Sequence, residues 1–160
     1  MLQGKVAVVT GSSSGIGAAI ARELASRGAS VVINYPYVSL EQQGESILEI
    51  LDTPGISVQA DLSTVEGPKQ LIDTTVKKYG RIDILINNAS VAIFKPLELA
   101  ILDEWDRVVK LNGRGYLLTT QSALPHLSNP SRIINITSSD CRFPFRLTQS
   151  TPEQKGRSKR

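Results

Sequence analysis

Apolar residues follow two alternating rhythms along the first 137 positions. Short unbroken apolar runs alternate with longer stretches in which every third or fourth residue is apolar. Val6-Ala7-Val8-Val9 is the first run, the pattern of a strand buried on both faces. Beyond a turn spanning Gly11 to Gly17, Ile16, Ile20 and Leu24 recur at i, i+4 and i+8, which predicts a helix with that inner face and Gly28 as its stop. Ser30 to Asn34 reads as a second strand. Ser39-Leu40-Glu41-Gln42 fits a capping box, opening a helix whose inner face is Ile47, Leu48 and Leu51 and which Pro54-Gly55 ends. Ile56 to Ala60 is a short third strand. A third helix is predicted from about Val65 to Tyr79, with Pro68 in its first turn, Leu71, Ile72, Thr75, Val76 and Tyr79 facing inward, and Gly80 as its close. Ile82 to Asn87 is a fourth strand. Pro96 interrupts the segment 91–102, which has no single period. One helix is predicted from near Asp103, carrying Val108, Val109 and a Trp105 at least half in the core. Another runs from about Leu111 to Leu127 and carries Tyr116, Leu117 and Leu118. Arg132 to Thr137 is the fifth strand.

Strands joined by helical crossovers predict a parallel sheet, because each crossover must be right-handed to pack back on it. The fold class is therefore α/β: a Rossmann-type doubly wound sheet of five strands in the order 3-2-1-4-5. The periodicity ends after Ser139. Residues 1–139 read as one domain and residues 140–160, with two prolines and many charges, as a loop and disordered tail.

Composition changes this picture little: 41% hydrophobic and 21% charged residues suit a globular domain. Charge changes it more. The formal net charge is +3, yet residues 1–140 hold 12 basic and 14 acidic side chains, and residues 141–160 hold 6 and 1. The basicity belongs to the tail, which argues against a nucleic-acid-binding face on the domain. The tail cluster Lys155, Arg157, Lys159 and Arg160 reads as solvated charge. No apolar stretch is long enough for a membrane span. Cys141 is the single cysteine and His126 the single histidine, so neither an internal disulfide nor a metal site is expected. The absence of a secretory pattern at the N-terminus and the lone cysteine make the cytoplasm the expected compartment.

The chemistry starts at Thr10-Gly11-Ser12-Ser13-Ser14-Gly15-Ile16-Gly17, between a strand and a helix. Glycines there let the chain turn sharply and let a diphosphate approach, and the helix N-terminus offers it unpaired N–H groups. The spacing is Gly-x-x-x-Gly-x-Gly. With Thr10 in front, the segment resembles the cofactor loop of the short-chain dehydrogenases/reductases. Four more segments resemble that family in its order: Asp61-Leu62, Asn87-Asn88-Ala89-Ser90, Trp105-Asp106-Arg107-Val108 to Asn112, and Asn135-Ile136-Thr137-Ser138. The resemblance covers about residues 1–139.

It implies a nicotinamide cofactor contacted by Gly11, Ser13, Ser14, Gly15, Ile16 and Gly17, by Asp61 and Leu62 at the adenine, and by Asn88 and Ala89. A carboxylate at the end of the second strand would repel a 2′-phosphate; Asn34-Tyr35 stands there instead, resembling NADP-preferring ketoreductases. Asn34, Tyr35 and Ser39 are candidate neutral donors, and NADP is expected over NAD. The implied reaction is hydride transfer between nicotinamide and a ketone or secondary alcohol, with Ser138 hydrogen-bonding the reacting oxygen and Asn112 in the proton relay. The family's Tyr belongs 13 residues after Ser138, where Thr151 stands, with Lys155 at the Lys position. An aliphatic hydroxyl is a poor acid compared with a phenol, and loss of such a group costs about 10²–10⁴-fold in rate. Impaired turnover is expected, or a silent dinucleotide-binding module. The family also implies further strands, which this sequence lacks, and a homo-oligomer whose face includes the helix around Tyr116 to Leu127. A truncated product, with its fifth strand left as an aggregation-prone edge, is the corresponding expectation.

Overall fold

The computed structural model describes residues 1–138. They form five parallel strands, β1 (Val6–Val9), β2 (Ser30–Tyr35), β3 (Gly55–Gln59), β4 (Ile82–Asn87) and β5 (Leu127–Asn135), in the order β3-β2-β1-β4-β5. The predicted class, sheet direction and strand order are all observed. The tail 140–160 lies outside the described residues.

Alternation along the strands divides the core in two. Ala7 and Val9 of β1, with Val31 and Ile33 of β2, point to one face of the sheet; Val8, Val32 and Leu85 point to the other. The first face is covered by α1 (Gly15–Ser26) and α2 (Glu41–Glu49), and the second by α3 (Glu66–Tyr79) and α5 (Tyr116–Ala123). The central strands β1 and β2 are thus covered on both faces, which explains their continuous apolar runs, whereas β3 is half-buried and β5 largely exposed.

Several expectations are corrected. In α1 the residues buried deepest are Ala18, Ala21 and Ala25; Ile20 and Leu24 pack beside them, and Ile16 is 67% exposed. Small side chains bring the helix axis close to the sheet, so the alanine stripe forms the contact and the larger residues flank it. The capping box does not form: α2 starts after a 3₁₀ turn over Val38–Leu40, and Leu40, without a side-chain cap, occupies its N-cap. The two helices expected after residue 102 are one continuous helical run. It comprises α4 (Leu102–Val109), a π-helical turn over Lys110–Gly115, α5, and a 3₁₀ turn over Leu124–His126. Trp105 is 66% exposed rather than in the core. β5 begins at Leu127, five residues before the predicted start. Its register jumps from Ile82↔Leu127 to Ile84↔Arg132, so polar and proline-containing residues 128–131 bulge opposite Asp83.

That bulge meets a buried acid. Asp83, 2% exposed, accepts hydrogen bonds from Lys5 Nζ (3.0 Å), the Val6 amide (3.0 Å), Ser128 Oγ (2.6 Å) and the Arg81 guanidinium (2.6 and 3.0 Å). Burial acts to raise its pKa, but these donors outweigh burial and hold the carboxyl well below the usual carboxylate range. The cluster closes the N-terminal end of the sheet. The opposite end is open.

Candidate functional site

At the C-terminal ends of the strands lies a cleft of about 580 Å³. Its position follows from the chain path: β2 and β3 lie on one side of β1, β4 and β5 on the other, so consecutive crossovers part above β1.

The floor is the turn from β1 into α1. Thr10, at the end of β1, donates Oγ to the Ile86 carbonyl (3.3 Å) and accepts the amides of Asn88 (2.8 Å) and Ala89 (2.9 Å). Asn88 returns the tie, donating Nδ2 to the carbonyls of Thr10 (2.9 Å) and Gly11 (3.2 Å). Ser12, fully buried, donates to the Val9 carbonyl (2.6 Å) and accepts the Asn34 amide (3.0 Å). These bonds fix the loop from three strands. Gly15 sits at φ +57°, where a side chain is strained. At Gly17 a Cβ would lie 2.5 Å from the Gly11 carbonyl oxygen and 2.6 Å from Asn88 Nδ2, so only glycine lets the helix start this close to the loop.

The N-terminus of α1 is uncapped by the chain. Ser14 is its N-cap in extended conformation and makes no side-chain cap, and the amides of Gly15, Ile16 and Gly17 have no hydrogen-bond acceptor among the described residues. Three N–H groups and the positive end of the helix dipole therefore face the cleft. No acidic side chain in the first turn competes for them. A phosphate-sized anion fits this donor set and the glycine-lined approach.

Most of the anticipated cofactor residues gather here. Gly11, Ser13, Ser14, Ile16, Gly17, Asn34, Asp61, Leu62, Asn88 and Ala89 all line the cleft, while Gly15 shapes the turn without lining it. Asp61 Oδ1 accepts from the Ser63 amide (2.9 Å) and hydroxyl (2.7 Å), which orients the carboxylate at the exit of β3.

Two residues play parts other than those expected. Asn34 is 1% exposed, and its polar atoms are committed to the chain. Oδ1 accepts the Gly11 amide (3.0 Å), and Nδ2 donates to the carbonyls of Ala60 (3.0 Å) and Val58 (3.3 Å). It binds the glycine loop to β3 and has no spare donor for a ligand. Tyr35 does not line the cleft. Its ring lies against Gly44 of α2, where burial and then the Glu41 carboxylate push the phenol up. The ring two residues on does line it: Tyr37 is 53% exposed at the rim, together with Pro36 and Leu40. Ser39 lies between them in the 3₁₀ turn and is not among the lining residues.

Other walls were not anticipated as site residues: Ala60, Ser63, Ser90, Val91, Arg107 and Leu111. Leu111 and Arg107 stand one helical turn apart just before Asn112, a spacing that signals a shared face.

Asn112 itself lies in the π-helical turn and does not line the cleft. Its side chain grips Val91 at both backbone atoms, accepting the amide (2.9 Å) and donating to the carbonyl (2.8 Å). It thereby holds the segment after β4 that forms the cleft wall. Ser138, the last described residue, follows the end of β5 and is exposed. Thr151 and Lys155, the other anticipated catalytic positions, lie outside the described residues. Among the described residues no His, Cys, Asp or Glu cluster could hold a metal ion, and no helix is long and apolar enough to cross a membrane.

A family model described as short chain dehydrogenase matches residues 5–150. An uncharacterised oxidoreductase of Methylorubrum extorquens is 43% identical over 140 residues, covering 86% of this chain and 56% of the relative. Elsinochrome reductase 1 of Elsinoe fawcettii is 43% identical over 136 residues, 83% of this chain and 50% of its own length. The chain thus spans about half the length of the curated relatives it matches. Among solved structures, a blue fluorescent protein from a metagenomic library in complex with NADPH superposes with a TM-score of 0.84 at 33% identity, over 88% of this chain and 58% of that one. A short chain dehydrogenase from Burkholderia cenocepacia in complex with NADP gives 0.84 at 35%, over 90% and 60%.

Proposed function

The chain belongs to the short-chain dehydrogenase family, and from that premise we propose that its cleft holds a nicotinamide dinucleotide, NADP(H) in preference to NAD(H), for oxidoreduction between a small ketone and a secondary alcohol. One observation carries the reading: the uncapped start of α1, where Gly17 lets the helix begin close against the glycine loop and three amides lack acceptors. The nicotinamide, when bound, supplies or accepts the hydride. The rest of the reading concerns this chain's own groups. The amides of Gly15, Ile16 and Gly17 take the diphosphate, with Ser13 and Ser14 beside them. Asp61 accepts from the adenine amino group and Leu62 lies along the ring. Asn88 and Ala89 form the wall where the nicotinamide ribose passes. Asn112 acts as a positioning residue for that wall through Val91, and Ser138 hydrogen-bonds the reacting oxygen. Residues 1–139 are taken as the dinucleotide-binding domain and 140–160 as a basic appendage.

Binding and turnover separate in this proposal. None of the four tyrosines in the sequence is followed four residues later by lysine, and Thr151 stands where the family's phenol belongs. A hydroxyl of ordinary alcohol acidity cannot pass a proton to a developing alkoxide near neutral pH as a phenol does. That observation favours a chain that binds the cofactor and turns over slowly, if at all.

Calorimetric titration with NADPH, paired with ketone-dependent NADPH oxidation by the same preparation, tests both parts. Saturable binding with turnover at least about 10²-fold below an active family member is expected. Absence of dinucleotide binding overturns the cofactor assignment; full-rate oxidation overturns the role given to Thr151.

A further inference from the structure

Among the described residues that wall the cleft, there is one acid, Asp61, one cation, Arg107, and one aromatic ring, Tyr37. A cofactor carrying an extra phosphate on its adenosine ribose brings about 1.5 to 2 additional negative charges. The wall at the β2 exit, where such a phosphate is distinguished from a hydroxyl, offers it no cation: Asn34 is committed to the backbone, and Pro36, Tyr37 and Leu40 are uncharged. Within the cleft's described lining, the one counter-charge available to it is Arg107.

Arg107 lies on α4, and its placement is set by the face it shares. Leu111, four residues on, also lines the cleft. Gly115, eight residues on, packs so closely that a Cβ would sit 2.7 Å from the Leu62 carbonyl, and Arg114 donates to the Ser63 carbonyl. That face is therefore laid against the exit of β3, beside Asp61 to Ser63, and Arg107 is its outermost member over the cleft. The guanidinium is exposed and makes no hydrogen bond or ion pair with the described residues. Its neighbour Asp106 is taken instead by Lys110, at 3.1 Å.

We propose that Arg107 is the residue of this cleft that selects a dinucleotide phosphorylated on its adenosine ribose, reaching across the β3 exit towards the rim formed by Tyr37. The inference rests on the cleft being a dinucleotide site. A delocalised, fork-shaped cation suits a phosphate dianion, and its action at an exposed position is weakened by salt.

The test is calorimetric titration of the full chain and of Arg107→Gln and Arg107→Lys with NADPH, NADH and 2′,5′-ADP, at low and at physiological salt, with thermal melts of all three proteins. Arg107→Gln is expected to weaken NADPH and 2′,5′-ADP by roughly fivefold at low salt. NADH should change by less than about twofold, the difference should shrink at higher salt, and Arg107→Lys should recover most of it. Unchanged NADPH and 2′,5′-ADP affinity in Arg107→Gln, with a wild-type protein that binds both, overturns the role of Arg107 and leaves the dinucleotide site standing. Equal weakening of NADPH and NADH also overturns it, since the residue then touches the shared adenosine. A wild-type protein that binds none of the three overturns the site itself.

Discussion

At the scale of single residues, the cleft is built less by groups that touch a ligand than by groups that hold the loop that does. Asn34 is the clearest case. Its side chain joins the Gly11 amide to the carbonyls of Ala60 and Val58, so three strand ends share one buried amide. Asn34→Ala leaves those backbone groups unsatisfied and should lower stability by about 1–3 kcal/mol, read by urea denaturation of the ligand-free chain. Weakened NADPH binding with unchanged ligand-free stability would instead mark Asn34 as a direct contact. Gly17 acts by what it omits. Gly17→Ala places a methyl 2.5 Å from the Gly11 oxygen, and calorimetry should show at least a tenfold loss of NADPH affinity with a stability loss of about 1–3 kcal/mol. Affinity equal to wild type would contradict the close approach. Much of this loop was legible in the sequence because glycine spacing between a strand and a helix has few other uses. Tyr35 and Tyr37 were not separable: strand alternation would put residues two apart on one face, but β2 ends at Tyr35 and the chain turns at Pro36, so only Tyr37 meets the cleft. Arg107 was hidden for a different reason. Its wall belongs to a helix distant in sequence from the glycine loop, and only the fold brings the two together.

At the scale of elements, strands β1, β2 and β4 were readable because their largely apolar runs leave little polar alternation to confuse them, while the half-buried β3 stood out as a short run after Pro54. The start of β5 was not, because Ser128 to Ser131 look like a loop while the backbone still pairs around them. Trp105 was misplaced because helical periodicity reports a shared face, and here that face is open to solvent among the described residues. The buried acid beneath β5 makes a prediction at this scale. Asp83 is held below its unfolded pKa by Arg81, Ser128, the Val6 amide and Lys5, against the contrary effect of burial. Its ionisation therefore stabilises the fold above the ordinary carboxylate range, near pH 4, and that contribution is lost as pH falls through the lower folded value. Asp83→Asn should lose about 2 kcal/mol at neutral pH, because Lys5 and Arg81 lose their partner and the β1–β4–β5 junction loosens. The difference from wild type in urea midpoint should be flat from pH 8 to 5 and shrink below about pH 4. A difference that grows on acidification would contradict this role.

For the whole molecule, the two ends of the sheet are specialised: one is sealed by an ion cluster around Asp83, the other opens where the crossovers diverge. The order of the strands was fully anticipated, since right-handed crossovers leave few alternatives. The proposed impairment of turnover rests on Thr151, which lies outside the described residues. The central claim is that the open end seats a dinucleotide diphosphate on the amides at the start of α1. Amide hydrogen exchange with and without saturating NADPH tests it most directly. Slowed exchange at Gly15, Ile16 and Gly17, with slower exchange also at 61–63 and 88–91, is the predicted result. Saturated binding that leaves residues 11–17 exchanging as before, and protects another surface, would contradict it.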